Sequence, residues 1–234
     1  MAVEAAKRRR AAIRERRERY GLLLAALFAA FAMQGVAKDG RVQQVVITVL
    51  LATSLVLAFW AANAKPVVMR PVLVVAGLVV AFSVVEAFTG EVAGAGTRIS
   101  NLLLVVLAPP AIVVGIVRAL RARGRVTIEA VFGVLCLYIL LGMFFAFLYG
   151  SIDRIAGPFF AQDVQATVAR CLYFSFTTLT TVGYGDLTAA TNLGHTLSVT
   201  EALFGQIYLV TVVSVLVSNL ARARPGSRGE RQES

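Results

Sequence analysis

Thr180-Thr181-Val182-Gly183-Tyr184-Gly185-Asp186 is the stretch on which the reading of this chain turns. Two glycines alternate with two bulky residues, and a glycine takes positive φ without a Cβ clash. A backbone that leaves ordinary strand geometry at Gly183 and Gly185 can turn successive carbonyls toward one line. Val182 and Tyr184 then face outward and wedge the resulting tube against its surroundings. An amphipathic segment precedes the stretch and an apolar span lies on either side of it. A glycine-rich turn between two membrane helices is the plain alternative, and the full run of the pattern over seven residues weighs against it.

The stretch resembles the selectivity filter of potassium channels, whose TVGYG loops are the known signature of that family. The resemblance implies that the carbonyls of Thr181, Val182, Gly183 and Tyr184 coordinate K+ stripped of its water, with Gly185 completing the ion-coordinating run. The Thr181 hydroxyl would add an oxygen below its own carbonyl. Thr180 and Asp186 would support the filter from its two ends, Asp186 at the outer mouth. Tyr173 occupies the place where many family members carry a tryptophan that hydrogen-bonds the aspartate after the filter. A phenol can make the same bond to Asp186, and aromatic packing alone is the other reading. Thr177 falls where some relatives carry a glutamate behind the filter, so carboxyl-dependent filter behaviour is not expected here. Gly205 matches the flexible glycine of inner pore helices and is the candidate gating hinge, with close packing as the equal alternative.

Composition agrees with a membrane setting. Hydrophobic residues make up 58% of 234 and charged ones 15%, far from a soluble globular composition. The net charge of +10 and a pI near 10.4 raise nucleic-acid binding as a possibility. The basic residues lie between apolar spans, however, and read as topology signals. No nucleic-acid partner is expected. Cys136 and Cys171 have no metal-ligand spacing and read as packed thiols. His195 stands at the start of the last span, where a bystander role outweighs a pH-sensing one.

Six spans are expected, at about 20–37, 42–62, 67–88, 99–117, 126–149 and 195–220, each approaching the roughly 20 residues a crossing helix needs. Ala30-Phe31-Ala32 resembles a signal-peptide cleavage pattern, but the apolar run continues to Ala37 and is long enough to span. Between 149 and 195 a pore helix is expected from 164 or 167 to 179, capped by Asp163 or Thr167. It is too short to cross, so it must dip in and return, which buried or pore-lining backbone allows. Its C-terminal end would favour a cation in the central cavity.

Orientation follows from Lys and Arg. Lys7, Arg8, Arg9, Arg10, Arg14, Arg16, Arg17 and Arg19, then Lys65 and Arg70, then Arg118, Arg121, Arg123 and Arg125, then Arg222, Arg224, Arg228 and Arg231 put most of the 23 basic residues on one side. That side is cytoplasmic by the positive-inside rule. Both termini are therefore expected in the cytoplasm of a multi-pass plasma-membrane protein. Glu4 to Arg8 and Glu15 to Arg19 are i,i+4 pairs that favour a helix, and residues 7–19 suit anionic lipid at about 1 kcal/mol per nearby basic side chain.

The fourth span is where a voltage sensor would sit, yet it contains no arginine between Arg98 and Arg118. Pro109-Pro110 should kink or interrupt it, and Pro66 and Pro71 should break the first turn of the third. Spans one to three offer only Glu86 as an intramembrane countercharge. In the last span Glu201 needs a polar partner that the sequence does not name.

The expected organisation is a basic N-terminal segment at 1–19, a four-helix membrane domain without voltage sensing at 20–117, a basic linker at 118–125, a pore domain at 126–220 and a tail at 221–234. The fold class is an all-α membrane protein with six transmembrane helices, a re-entrant pore helix and a filter. One filter segment supplies a quarter of a fourfold ring, so a homotetrameric pore is expected. The functional expectation is a K+-selective channel without intrinsic voltage sensing. A K+-uptake transporter subunit is disfavoured, because those families carry several degenerate pore repeats in one chain. A non-conducting scaffold or lipid-binding protein is the third reading. No nucleophile with a base, metal-ligand cluster or phosphate loop suggests an enzyme, and no cofactor is expected beyond the permeant K+.

Overall fold

The chain is all helical in a computed structural model that describes residues 2–36, 40–89, 95–123 and 128–222. The helices are α1 (Ala2–Val36), α2 (Arg41–Ala61), α3 (Pro66–Thr89), α4 (Ala95–Arg123), α5 (Ile128–Ala156), α6 (Val168–Leu179) and α7 (Asn192–Arg222). Among the described residues four stretches are long and apolar enough to cross a membrane: Val42–Ala61, Pro66–Thr89, Gly96–Arg118 and Ala130–Ala156. The expected first and sixth spans fall on α1, which opens with the charged run, and on α7, whose apolar residues are interrupted by Glu201 and Gln206.

Helix α2 lies between α1, α3 and α4, and α1 and α4 both pack on α5. α3 is the outermost, with 17% of its span buried against 50% for α5. α6 packs on α5, α7 and α1, so the first helix reaches the short helix before the motif. Phe31 meets Phe176 edge-on there, with ring centroids 4.8 Å apart. A continuous apolar core joins the two halves of the chain, from Leu23, Leu27 and Leu55 through Ile112 to Met143, Tyr149 and Phe159. Polar groups inside α2, α3 and α4 satisfy one another, as burial requires: Thr48 donates to Asn101 at 3.0 Å and Ser83 to Thr48 at 3.3 Å.

Two expectations about proline are corrected. α4 runs through Pro109 and Pro110 without interruption, and α3 begins at Pro66 and continues through Pro71. A proline at the first helical position gives up a donor that has no partner anyway. Within a membrane bundle the neighbours re-satisfy the carbonyls freed by an interior proline. Cys136 and Cys171 are free and buried, as expected. Arg125, residues 90–94 of the loop between the third and fourth spans, and the tail from residue 223 with Arg224, Arg228 and Arg231 lie outside the described residues, as do the side chains of residues 1–17.

Arg19 fixes the near end of the bundle. Its guanidinium lies 4.1 Å over the Trp60 ring and donates to the Asn63 side chain at 2.9 Å. Arg98 fixes the far end. It is buried at the start of α4 and donates from Nη1 to the carbonyls of Gly150 on α5, at 3.1 Å, and Ala166, just before α6, at 2.9 Å.

Candidate functional site

The short helix α6 starts where its cap allows. Thr167 is extended at φ −66°, ψ 160°, and its Oγ1 accepts from the Arg170 N–H at 3.2 Å. Of the two expected caps Thr167 serves and Asp163 does not, so residues 164–167 stay outside the helix. Before it, the loop after α5 pairs with the loop after the motif. Ala161 donates to the Thr188 carbonyl at 2.9 Å, Ala190 to that of Phe159 at 2.8 Å, and the His195 ring sits 2.8 Å from the Ala189 carbonyl. Residues 159–161 and 188–190 are thereby held side by side.

At its other end α6 leads directly into the motif. Thr180 donates its backbone N–H to Phe176 at 3.1 Å, and its hydroxyl to the same carbonyl at 2.6 Å. Then the backbone alternates: φ is +58° at Thr181, +51° at Gly183 and +78° at Gly185, and negative at Val182 and Tyr184. Successive residues of opposite hand gather their N–H groups into a concavity. Here the N–H groups of Val182 and Gly183 both donate to the Thr177 carbonyl, at 2.9 and 3.1 Å. In a trans peptide the C=O points opposite to the N–H of the same plane, and no cis peptide is present among the described residues. The carbonyls of Thr181 and Val182 therefore point away from α6 together, onto the exposed side of the chain.

Positive φ at the glycines was legible, whereas Thr181 was not expected to share it. A β-branched residue there is an outlier, at a cost of about 1–3 kcal/mol that the surroundings must offset. Its backbone N–H donates to Thr178 at 2.9 Å, and its Oγ1 accepts from Nε2 of Gln206 on α7 at 3.0 Å. Gln206 lies 14 residues into α7, about 21 Å along the helix from Asn192 at the usual rise. Thr181 thus lies beside the middle of α7.

The remaining motif residues sit as follows. Thr177 turns its hydroxyl back to the Tyr173 and Phe174 carbonyls, both at 3.0 Å, which leaves its own carbonyl to the two N–H groups. Tyr173 stacks on Tyr184 with centroids 6.2 Å apart and planes 4° from parallel, and it also interacts with the Asp186 carboxylate. The stacking on Tyr184 is the packing expected of Tyr173, and the Asp186 carboxylate acts on its phenol electrostatically. Val182 and Tyr184 are 53% and 72% exposed in the single chain.

Gly205 is explained by contact. A Cβ there would lie 2.2 Å from the Leu179 carbonyl oxygen, so α7 touches the end of α6 backbone to side-chain-less backbone. Four residues earlier Glu201 is fully buried. It accepts from the Tyr149 hydroxyl on α5 at 2.7 Å and is joined to the Ser175 hydroxyl on α6. Ser175 also donates to the Gly142 carbonyl at 2.7 Å. Three helices meet at that carboxyl.

Residues 133–222 match the family model described as Ion channel. The matched region contains most of α5, all of α6, the motif and α7. Within the chain an 82-residue stretch is 37% identical to a two pore potassium channel c of Oryza sativa subsp. japonica, which covers 35% of this chain and 17% of that protein. The chain thus spans less than a fifth of the length of that curated relative. No solved structure matches. These likenesses support an ion channel in a membrane protein, in line with the potassium-channel resemblance of the motif.

Sequence reasoning missed Gln206, Ser175, Tyr149 and the reach of Arg98. A polar side chain next to a glycine in an apolar span was the available signal for Gln206. The other three lie too far apart in sequence to be paired by spacing.

Proposed function

We propose that the chain is the subunit of a K+-selective channel that conducts passively through a fourfold ring of filter carbonyls. The observation that carries this reading is the donation of the Val182 and Gly183 N–H groups to one carbonyl, Thr177. It turns the Thr181 and Val182 carbonyls to the free side of the chain, where a cation can be met by unpaired backbone oxygens. One chain offers only one such row, so four copies about an axis complete the cage. The exposed Val182 and Tyr184, beside an open groove of about 410 Å³ that Phe31, Tyr173 and Phe176 also line, are the surface a neighbouring copy would cover.

In this reading Thr181, Val182, Gly183 and Tyr184 hold K+, Gly185 completes the row, and Thr180, Thr177, Tyr173 and Asp186 support it. α1 and α7 cross the membrane with the other four long helices, and both termini face the cytoplasm of a cell whose plasma membrane holds the protein. Residues 7–19 lie on anionic lipid. Gating by a bend at Gly205 would have to break its contact with Leu179.

The test is a bi-ionic measurement on purified protein in planar bilayers. A reversal potential displaced strongly toward K+ against Na+ is expected, and equal permeabilities would refute the reading. Gly183→Ala should abolish selective conduction, since a Cβ at φ +51° opposes the required backbone.

A further inference from the structure

The Gln206 amide reaches Thr181 from a different helix, and the distance between them is not free to vary. Gly205, the preceding residue, rests against the Leu179 carbonyl. Leu179 is two residues before Thr181 and ends α6. The contact that seats α7 therefore also sets where Gln206 begins. From there Nε2 donates to Thr181 Oγ1 at 3.0 Å.

A threonine hydroxyl has one proton and two acceptor lone pairs. A bond received from Gln206 takes one lone pair and stops the hydroxyl from turning freely. The residue it holds is the one non-glycine in the motif at positive φ, so the bond restrains both the side chain and the backbone that carries the Thr181 carbonyl. Gln206 contributes no backbone to the motif, and its side chain is exposed in the single chain.

We propose that Gln206 is a specificity-determining residue of the filter, acting through the Thr181 hydroxyl to set the oxygen geometry of the deepest ring. The inference rests on the K+-channel reading given above. In the assembled ring four Gln206 amides hold four hydroxyls, and an ion arriving from the cytoplasmic side, where α7 ends, meets that ring first. Ba2+ is a suitable probe, being close to K+ in size with twice the charge, so that small changes in oxygen placement alter its hold strongly.

The experiment applies Ba2+ from the cytoplasmic side, where α7 ends in the proposed topology, to the full-length channel in bilayers and measures the block. Gln206→Met and Gln206→Leu keep bulk and lose the donor. Each should weaken block by about five- to tenfold, the size of one net hydrogen bond, and shift the Rb+ to K+ permeability ratio. In a Thr181→Ala background the same substitutions should have no further effect, because coupled residues are non-additive. A wild-type protein without K+-selective current would sink the channel reading itself. A selective wild type whose block changes less than twofold in both variants would overturn the inference alone. So would equal weakening with and without the Thr181 hydroxyl, which would make Gln206 a pore-lining group with no hold on the filter. Where a variant passes no current, the rise in tetramer melting temperature on adding Ba2+ in detergent takes the place of block. A smaller rise than in the wild type supports the inference, and an equal rise overturns it.

Discussion

The carbonyl oxygen of Leu179 occupies the place where a side chain at Gly205 would begin, 2.2 Å from the ideal Cβ position. Because the obstructing atom is backbone at the end of α6, Gly205→Ala must push α7 away from the filter. A loss of about 3 kcal/mol or more is expected, at or above the upper end of ordinary overpacking. Gly77 on α3 has nothing within 4 Å of its Cβ position, so Gly77→Ala should gain about 0.5–1 kcal/mol from helix propensity. Melting of the purified protein in detergent should therefore fall for the first and hold or rise for the second. Equal melting temperatures would contradict the contact.

Glu201 should tolerate an amide but not an aliphatic side chain. Ser175 can give its single proton to the Gly142 carbonyl and still accept from an amide N–H, while the amide oxygen accepts from Tyr149. Glu201→Gln is expected to assemble and conduct. Glu201→Leu strands the Tyr149 hydroxyl in an apolar interior, at about 1–3 kcal/mol, and should lower the melting temperature. Gln and Leu variants that melt alike would show that the hydrogen bonds at Glu201 contribute little.

Arg98 ties the four-helix part of the chain to the base of α6. Arg98→Ala removes charge-assisted bonds to Gly150 and Ala166 worth about 1.5–3 kcal/mol each. Lysine, with its shorter point charge, should restore only part. Gly150→Ala places a Cβ 2.5 Å from the Arg98 Nη1 and should disturb the same contact from the other side. Proteolysis of the loop before α6 is the readout, faster in Arg98→Ala and Gly150→Ala than in the parent. Unchanged cleavage in both would show that the loop is held by other contacts.

Steep voltage dependence is not expected. Moving one elementary charge across 100 mV supplies about 2.3 kcal/mol, and α4 carries no charged residue between Arg98, which is held by two carbonyls, and Arg118. Open probability recorded over a wide voltage range should vary only shallowly. A slope equivalent to several elementary charges would mean that α4 or a neighbour carries charge through the field.

The motif, the helices and the short helix before the motif were legible because each has a local cause: glycine at positive φ, apolar length, a threonine cap. What escaped was set by contacts distant in sequence. Thr181 takes a glycine-like φ between the end of α6 and Gln206, which no local preference of threonine announces. The partners of Glu201 come from α5 and α6, 52 and 26 residues away. Pro109-Pro110 were expected to disturb α4 because isolated-helix rules omit the neighbours that surround this one. Asp163 and Thr167 were equally good caps by residue type, and the Thr167 hydroxyl meets the Arg170 N–H.

The packing of α1 against α5 and α6 has a consequence for how such a protein is made. Phe31 meets Phe176, and Arg98 meets Ala166, within one polypeptide. A newly inserted copy can thus complete these contacts before encountering another, and in the proposed ring the flank of the motif and the apolar face of α7 with Leu203, Phe204 and Ile207 are what sister copies would cover. Assembly then joins finished parts. If the ring is the tetramer proposed above, a copy that matures normally but carries a spoiled motif would be admitted as readily as a sound one, and a single such member would silence its three companions.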